Sequence, residues 1–193
     1  MMLEKLQKRL DSDWIKKNNI FDVVVYGSYI RGKTNAKDID IAIIMNKNTS
    51  IKNKLNLCQK LRNLFLEKGH NFDVKAVDLN DFLNVGFLGR ESILAEGYSL
   101  VKKDYIAERF GFKAVVLIEY SLKNLARGKQ KMFYYALQGR KKGTGILAKI
   151  GGKFVSKGVI KIPTKYFDEI KELLDGNNIN FTATFTLEYR VLH

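Results

Sequence analysis

The chain has 193 residues, 46% hydrophobic and 28% charged, with a formal net charge of +14. That is enough apolar material for one substantial core or two small ones, and it excludes disorder as a description of the whole. A single cysteine, Cys58, and two histidines far apart in sequence, His70 and His193, exclude a disulfide framework and a zinc site of Cys/His type, so any metal must take oxygen ligands.

No apolar run reaches the roughly 20 residues of a membrane span. The opening MMLEKLQKRLDSDW carries charges where a signal peptide is apolar, so a cytoplasmic protein without membrane association is expected. Met2, Leu3, Leu6, Leu10 and Trp14 recur at helical spacing and predict an amphipathic helix over residues 2–17. Phe21 to Tyr26 follows as a strand whose unbroken Val23, Val24 and Val25 predict burial on both faces. A second strand is expected over 38–45. A helix over 51–68 comes next, with Ser50 as N-cap, Ile51, Leu55, Cys58, Leu61 and Phe65 on one face, and Gly69 as its stop. Phe72 to Val77 reads as a third strand. Helical turns are expected at Asp81 to Leu83, capped by Asp78 and Asp81, and at Gly89 to Glu96, before a short strand from Tyr98 to Val101.

This layout is α/β. A boundary is placed in the polar VKKDY segment, dividing residues 1–104 from a smaller basic α+β domain over 105–193. In that second part the pattern predicts a helix from Ile106 to Leu125, another from Lys129 to Leu137 ended by Gly139, and a short one at Ile146 to Ile150. After the Gly151-Gly152 turn come a strand (Gly158 to Ile162), a helix (Pro163 to Leu174) and a strand (Phe181 to Val191).

The first part carries the chemistry. Alternation along a strand sends Asp38 and Asp40 to one face, with Cα atoms about 6 to 7 Å apart, while Ile39 and Ile41 point into the core. Like charges so close are costly unless a cation or proton lies between them, and Mg²⁺ takes carboxylate oxygens. Taken alone, Asp-x-Asp is also ordinary turn chemistry. Its companion segment is GSYIRGK, where a buried strand ends in Gly27-Ser28, exposing main-chain N–H groups and a hydroxyl to an anion, with Arg31 able to add a guanidinium. If the two strands run antiparallel, the end of one lies beside the start of the other. A third carboxylate, Asp73, sits between apolar Phe72 and Val74 in the next strand, and could complete a two-metal site or take a proton.

GSYIRGKTNAKDIDIAI resembles the signature of the DNA polymerase β-like nucleotidyltransferase superfamily: Gly-Ser, a spacer of nine, then Asp-x-Asp in an apolar strand. Arg31-Gly32, Asp73 and SILAEGYSLV extend the likeness to its minimal nucleotidyltransferases over about half the chain. Lys37 departs from it, since many relatives have Ser there. The resemblance implies a mixed sheet flanked by helices. It implies that Gly27 and Ser28, with Arg31, hold ATP or another NTP, and that Asp38, Asp40 and Asp73 bind Mg²⁺, two ions in the full site. It also implies that an NMP, in the first instance AMP, moves to a hydroxyl with release of pyrophosphate.

The basic part is read from its own residues. Residues 1–104 hold 18 Lys/Arg against 13 Asp/Glu, whereas 105–193 hold 16 against 7. Between Lys123 and Lys165 stand 12 Lys/Arg and no acid, interleaved with Phe133, Tyr134, Tyr135 and Phe154. This mixture suits phosphate contact with base stacking, and equally a helix whose aromatics pack and whose lysines face water. Three functions follow: nucleotidyl transfer to an RNA or protein acceptor held by the basic part, an antitoxin-like adenylyltransferase acting on a toxin, or a nucleic-acid-binding module with a silent catalytic domain.

Overall fold

The computed structural model describes residues 2–33, 36–66, 70–141 and 143–189. The chain divides into two compact units, Met1–Phe110 and Gly111–His193.

Unit 1 opens with helices α1 (Met2–Arg9) and α2 (Ser12–Lys17) rather than one continuous helix. The break has a local cause: the Asp11 side chain accepts from the Asp13 N–H at 3.1 Å and starts a second helix there. Strand β1 (Ile20–Tyr26) then pairs antiparallel with β2 (Asp38–Met45). Helix α3 (Ile51–Phe65) begins at Ser50, whose hydroxyl accepts from the Asn53 N–H, and returns the chain to β3 (Asn71–Val77), parallel to β2. Leu57, Cys58, Leu61 and Phe65 form its buried stripe, while Ile51 and Leu55, expected on that face, are 76% and 65% exposed at its edge. Gly69, expected to stop this helix, lies outside the described residues.

Helices α4 (Leu79–Leu83) and α5 (Arg90–Glu96), the short β4 (Tyr98–Ser99) and helix α6 (Ile106–Arg109) complete the unit. Asp78 and Asp81 cap α4 reciprocally, as expected. The sheet order is β3-β2-β1-β4, a mixed sheet covered on both faces. Val23, Val25, Ile39, Ile41 and Ile43 pack with residues of α1, α2 and α3. The alternate residues Val24, Tyr26 and Ala42 pack with Ile93 of α5 and Ile106 of α6. Coverage from both sides is why β1 is an apolar run and not an alternation.

Unit 2 corrects one expectation. Residues 106–125 are not one helix: α6 ends before Gly111, whose φ of +77° suits glycine, and Phe112–Ser121 is strand β5. The strand lies between β7 (Val159–Pro163) and β8 (Asn180–Tyr189), antiparallel to both. Its middle, Ala114 to Ile118, is an unbroken apolar run that reads equally as a buried helix segment, so periodicity could not separate them, although Lys113, Glu119 and Ser121 are exposed. Between β5 and β7 come α7 (Arg127–Gln138), α8 (Ile146–Ile150) and β6 (Lys153–Ser156), a strand with no apolar pattern to announce it. A 3₁₀ turn (Thr164–Tyr166) and α9 (Phe167–Gly176) lead into β8; Val191, the expected end of that strand, lies outside the described residues.

The order β6-β7-β5-β8, wholly antiparallel, with helices between β5 and β6 and between β7 and β8 along the chain, is a ferredoxin-like split βαβ arrangement. Its core joins Val116, Ile118, Ile160 and Ile162 of the sheet to Phe133 and Leu137 of α7, Leu147 and Ile150 of α8, and Ile170 and Leu174 of α9. Among the described residues no helix is long and apolar enough to cross a membrane.

Candidate active site

Because β1 and β2 run antiparallel, the C-terminal end of β1 meets the N-terminal end of β2, and Tyr26 is the register partner of Asp40. On the other side of β2, parallel pairing sets Asp40 beside Asp73 and Asp38 beside Asn71. Register partners share a face, so Asp38, Asp40, Asp73 and Tyr26 all project from the side of the sheet that carries α5.

Burial raises the pKa of Asp40, and the negative charges of Asp73 and Asp38 raise it further against the opposing pull of Lys75 and Arg31. Burial, with a smaller push from the charges of Asp40 and Asp73, raises the Tyr26 phenol to about 12. Two of the carboxylates have other partners: Asp38 accepts from the Asn71 amide at 3.2 Å, and Asp73 lies 3.3 Å from the Lys75 ammonium. Among the described residues no three Asp, Glu, His or Cys side chains form one metal-holding group. The donor set itself, oxygen-only and mutually repelling at Asp40 and Asp73, has the chemistry that a hard divalent cation relieves.

Gly27 ends β1 in the left-handed region, φ +81°, and turns the chain over the carboxylates. A Cβ there would lie 2.3 Å from Oδ2 of Asp40, so only glycine lets main chain and carboxylate lie this close. The turn closes on itself, with the Gly27 carbonyl accepting from Ile30 and Arg31 N–H and the Ser28 carbonyl accepting from Lys33 N–H.

Two contacts at the candidate site involve residues to which the sequence assigned no role. Glu96, at the end of α5 and 3% exposed, accepts from the Gly27 N–H at 3.2 Å and from the Arg31 guanidinium at 2.8 Å through the same oxygen. In this structure, then, the Gly27 N–H and the Arg31 guanidinium both point to a carboxylate of the protein itself. Burial raises the Glu96 pKa, and Arg31, Ser92 and the Gly27 N–H oppose that rise. The available signal was its position three residues after the fully buried Ile93, which puts an acid on an apolar helical stripe. Asn71, the second contact, is the first residue of β3 and carried no signal of its own.

The family model for polymerase beta nucleotidyltransferases matches residues 6–106. No curated protein matches the chain. Among solved structures, a chain of the tri-AMPylated Shewanella oneidensis HEPN toxin in complex with MNT antitoxin is 24% identical over 51% of this chain and 68% of that one, with a TM-score of 0.33. A chain of a mutant toxin–antitoxin complex MntA–HpeT is 20% identical, covering 51% and 70%, with a TM-score of 0.34. Since the family match spans more than half of the chain and contains the whole mixed sheet with Asp38, Asp40 and Asp73, the chain belongs to the polymerase beta nucleotidyltransferase family.

Proposed function

We propose that unit 1 transfers an NMP, in the first instance AMP from ATP, to a hydroxyl of a macromolecular acceptor, RNA or protein, with release of pyrophosphate. The observation that carries the reading is the register pair Asp40 and Asp73, with Asp38 on the same face, set against the Gly27-Ser28 turn. Asp38, Asp40 and Asp73 would hold Mg²⁺, which supplies charge neutralisation at the phosphates when bound. The turn at Gly27 and Ser28 gives the triphosphate a close approach to the main chain, with the Ser28 hydroxyl as its donor. Glu96 keeps that turn in place and orients Arg31 beside it. Asp73, the register partner of Asp40 on the neighbouring strand, either completes the metal site or takes the attacking hydroxyl's proton. The α-phosphorus is attacked in line, and the bond to the pyrophosphate oxygen breaks as the new ester forms.

The test is incubation with α-labelled nucleotides and Mg²⁺ in the presence of RNA or of cell lysate. Label is expected to move to a macromolecule with wild type and not with Asp40→Ala. Equal labelling by the two proteins, or no labelling together with no nucleotide binding, sinks the reading. Label on protein rather than RNA would identify a protein acceptor.

A further inference from the structure

Helix α7 of unit 2 sorts its side chains in a way that packing alone does not require. Phe133 and Leu137 enter the core. Arg127, Lys131, Tyr134 and Tyr135, at positions i, i+4, i+7 and i+8, form one exposed stripe on another side. Tyr134 and Tyr135 are 44% and 38% exposed. The Lys131 ammonium lies over the Tyr135 ring, 5.7 Å from its centroid. Tyr134 stacks on Phe154 of the edge strand β6, ring centroids 5.4 Å apart and planes 26° from parallel. Two cations in the first half of the helix are therefore followed on the same side by two exposed rings, with Lys131 reaching over Tyr135. Around it the sequence from Lys123 to Lys165 has 12 Lys/Arg and no acid, and Lys129, Arg140, Lys141, Lys149, Lys153 and Lys157 are all exposed.

We infer that this stripe is a binding surface for single-stranded nucleic acid. Charge complementarity calls for a polyanion. The aromatic faces select among polyanions, because unpaired bases stack on rings, whereas an acidic peptide or a duplex presents no free base face. The site is thus Arg127 and Lys131 for the backbone phosphates and Tyr134 and Tyr135 for two bases, with the Tyr134–Phe154 pair holding one ring flat. That the bound strand also serves as acceptor rests on the nucleotidyl transfer proposed above; the binding itself does not.

The experiment uses the full chain without nucleotide or metal, so it fails independently of the transfer reading. Fluorescence anisotropy is read with labelled single-stranded RNA and single-stranded DNA of about 12 nucleotides, within the usual site size, and with duplex and polyglutamate as competitors, over a salt series. Both single strands, or the RNA alone, are expected to bind with affinity falling linearly in log–log salt. Tyr135→Ala and Tyr134→Ala are each expected to weaken binding about tenfold without changing the salt slope, and Tyr134→Phe to retain it. Arg127→Gln with Lys131→Gln should lower the slope by about 1.4, two contacts at about 0.7 each. If Tyr134→Ala does not fold, Tyr135→Ala and the paired cation variant decide. The inference is overturned if the tyrosine variants bind as wild type does, if duplex competes as well as single strands, or if polyglutamate does, which would make the partner an acidic protein.

Discussion

The carboxylate of Glu96 accepts a hydrogen bond from the Gly27 N–H at 3.2 Å, tying the end of α5 to the end of β1 across 69 residues of sequence. The same oxygen receives the Arg31 guanidinium at 2.8 Å. One buried acid thus holds the turn that overlies Asp40, from outside the segment that carries the signature.

Removing that acceptor should damage both fold and turn. Glu96→Ala is expected to lose about 1–3 kcal/mol, the usual cost of leaving a buried donor without a partner. Glu96→Gln keeps an oxygen at the same place and should lose less stability and less transfer than the alanine variant. Urea unfolding and labelled-nucleotide transfer, run side by side, check the order wild type, Gln, Ala.

Gly27→Ala strikes the same turn differently. Its φ of +81° costs an L-residue about 1–2 kcal/mol. The added Cβ, 2.3 Å from Oδ2 of Asp40, must displace that carboxylate. Transfer should fall on the order of 10²-fold, out of proportion to the stability loss, as it does when a reacting group is misplaced by about an ångström. A variant with near wild-type transfer would show that Asp40 is not needed where it stands.

Asp40→Asn separates function from stability. Asp40 is held above the ordinary carboxylate range by burial and by Asp73, so its charged form is disfavoured in the fold. The neutral isostere should unfold at the same temperature as wild type or higher, while transfer drops about a hundredfold or more. EDTA should abolish transfer by wild type, and added Mg²⁺ should restore it. A clear fall in Tm for Asp40→Asn would mean that the carboxylate is structural.

A pH signature is expected at Asp22, far along β1 from this site. Its fully buried side chain accepts from the Ser99 hydroxyl at 2.7 Å and the Val23 N–H at 2.8 Å, with Arg109 at 3.4 Å. Burial outweighs these contacts and raises its pKa above 3.8. Stability from a group raised in the folded state is complete below its unfolded pKa and is lost as pH rises through the folded one. Wild type should therefore lose stability relative to Asp22→Asn as pH rises through that range, then run parallel to it. Urea midpoints across a pH series read this directly, and a relative gain by wild type with rising pH would refute it.

Much of the candidate site was legible because it is local. Asp38 and Asp40 share a face by strand alternation, the Gly27-Ser28 turn follows an apolar strand, and Asp73 stands out as an acid between apolar neighbours. Glu96 and Asn71 were not, since their partners are distant in the chain: Glu96 showed only an acid on an apolar helical stripe, which does not name its partner, and Asn71 showed nothing.

The sequence alone determined the chemistry on offer: oxygen ligands only, a glycine where the chain turns, a basic second half. Tertiary structure decided which atoms meet. Antiparallel pairing put Tyr26 beside Asp40, and parallel pairing put Asp73 there too. It also turned residues 112–121 into the central strand of a sheet, because an apolar run satisfies helix and buried strand alike until its neighbours are known.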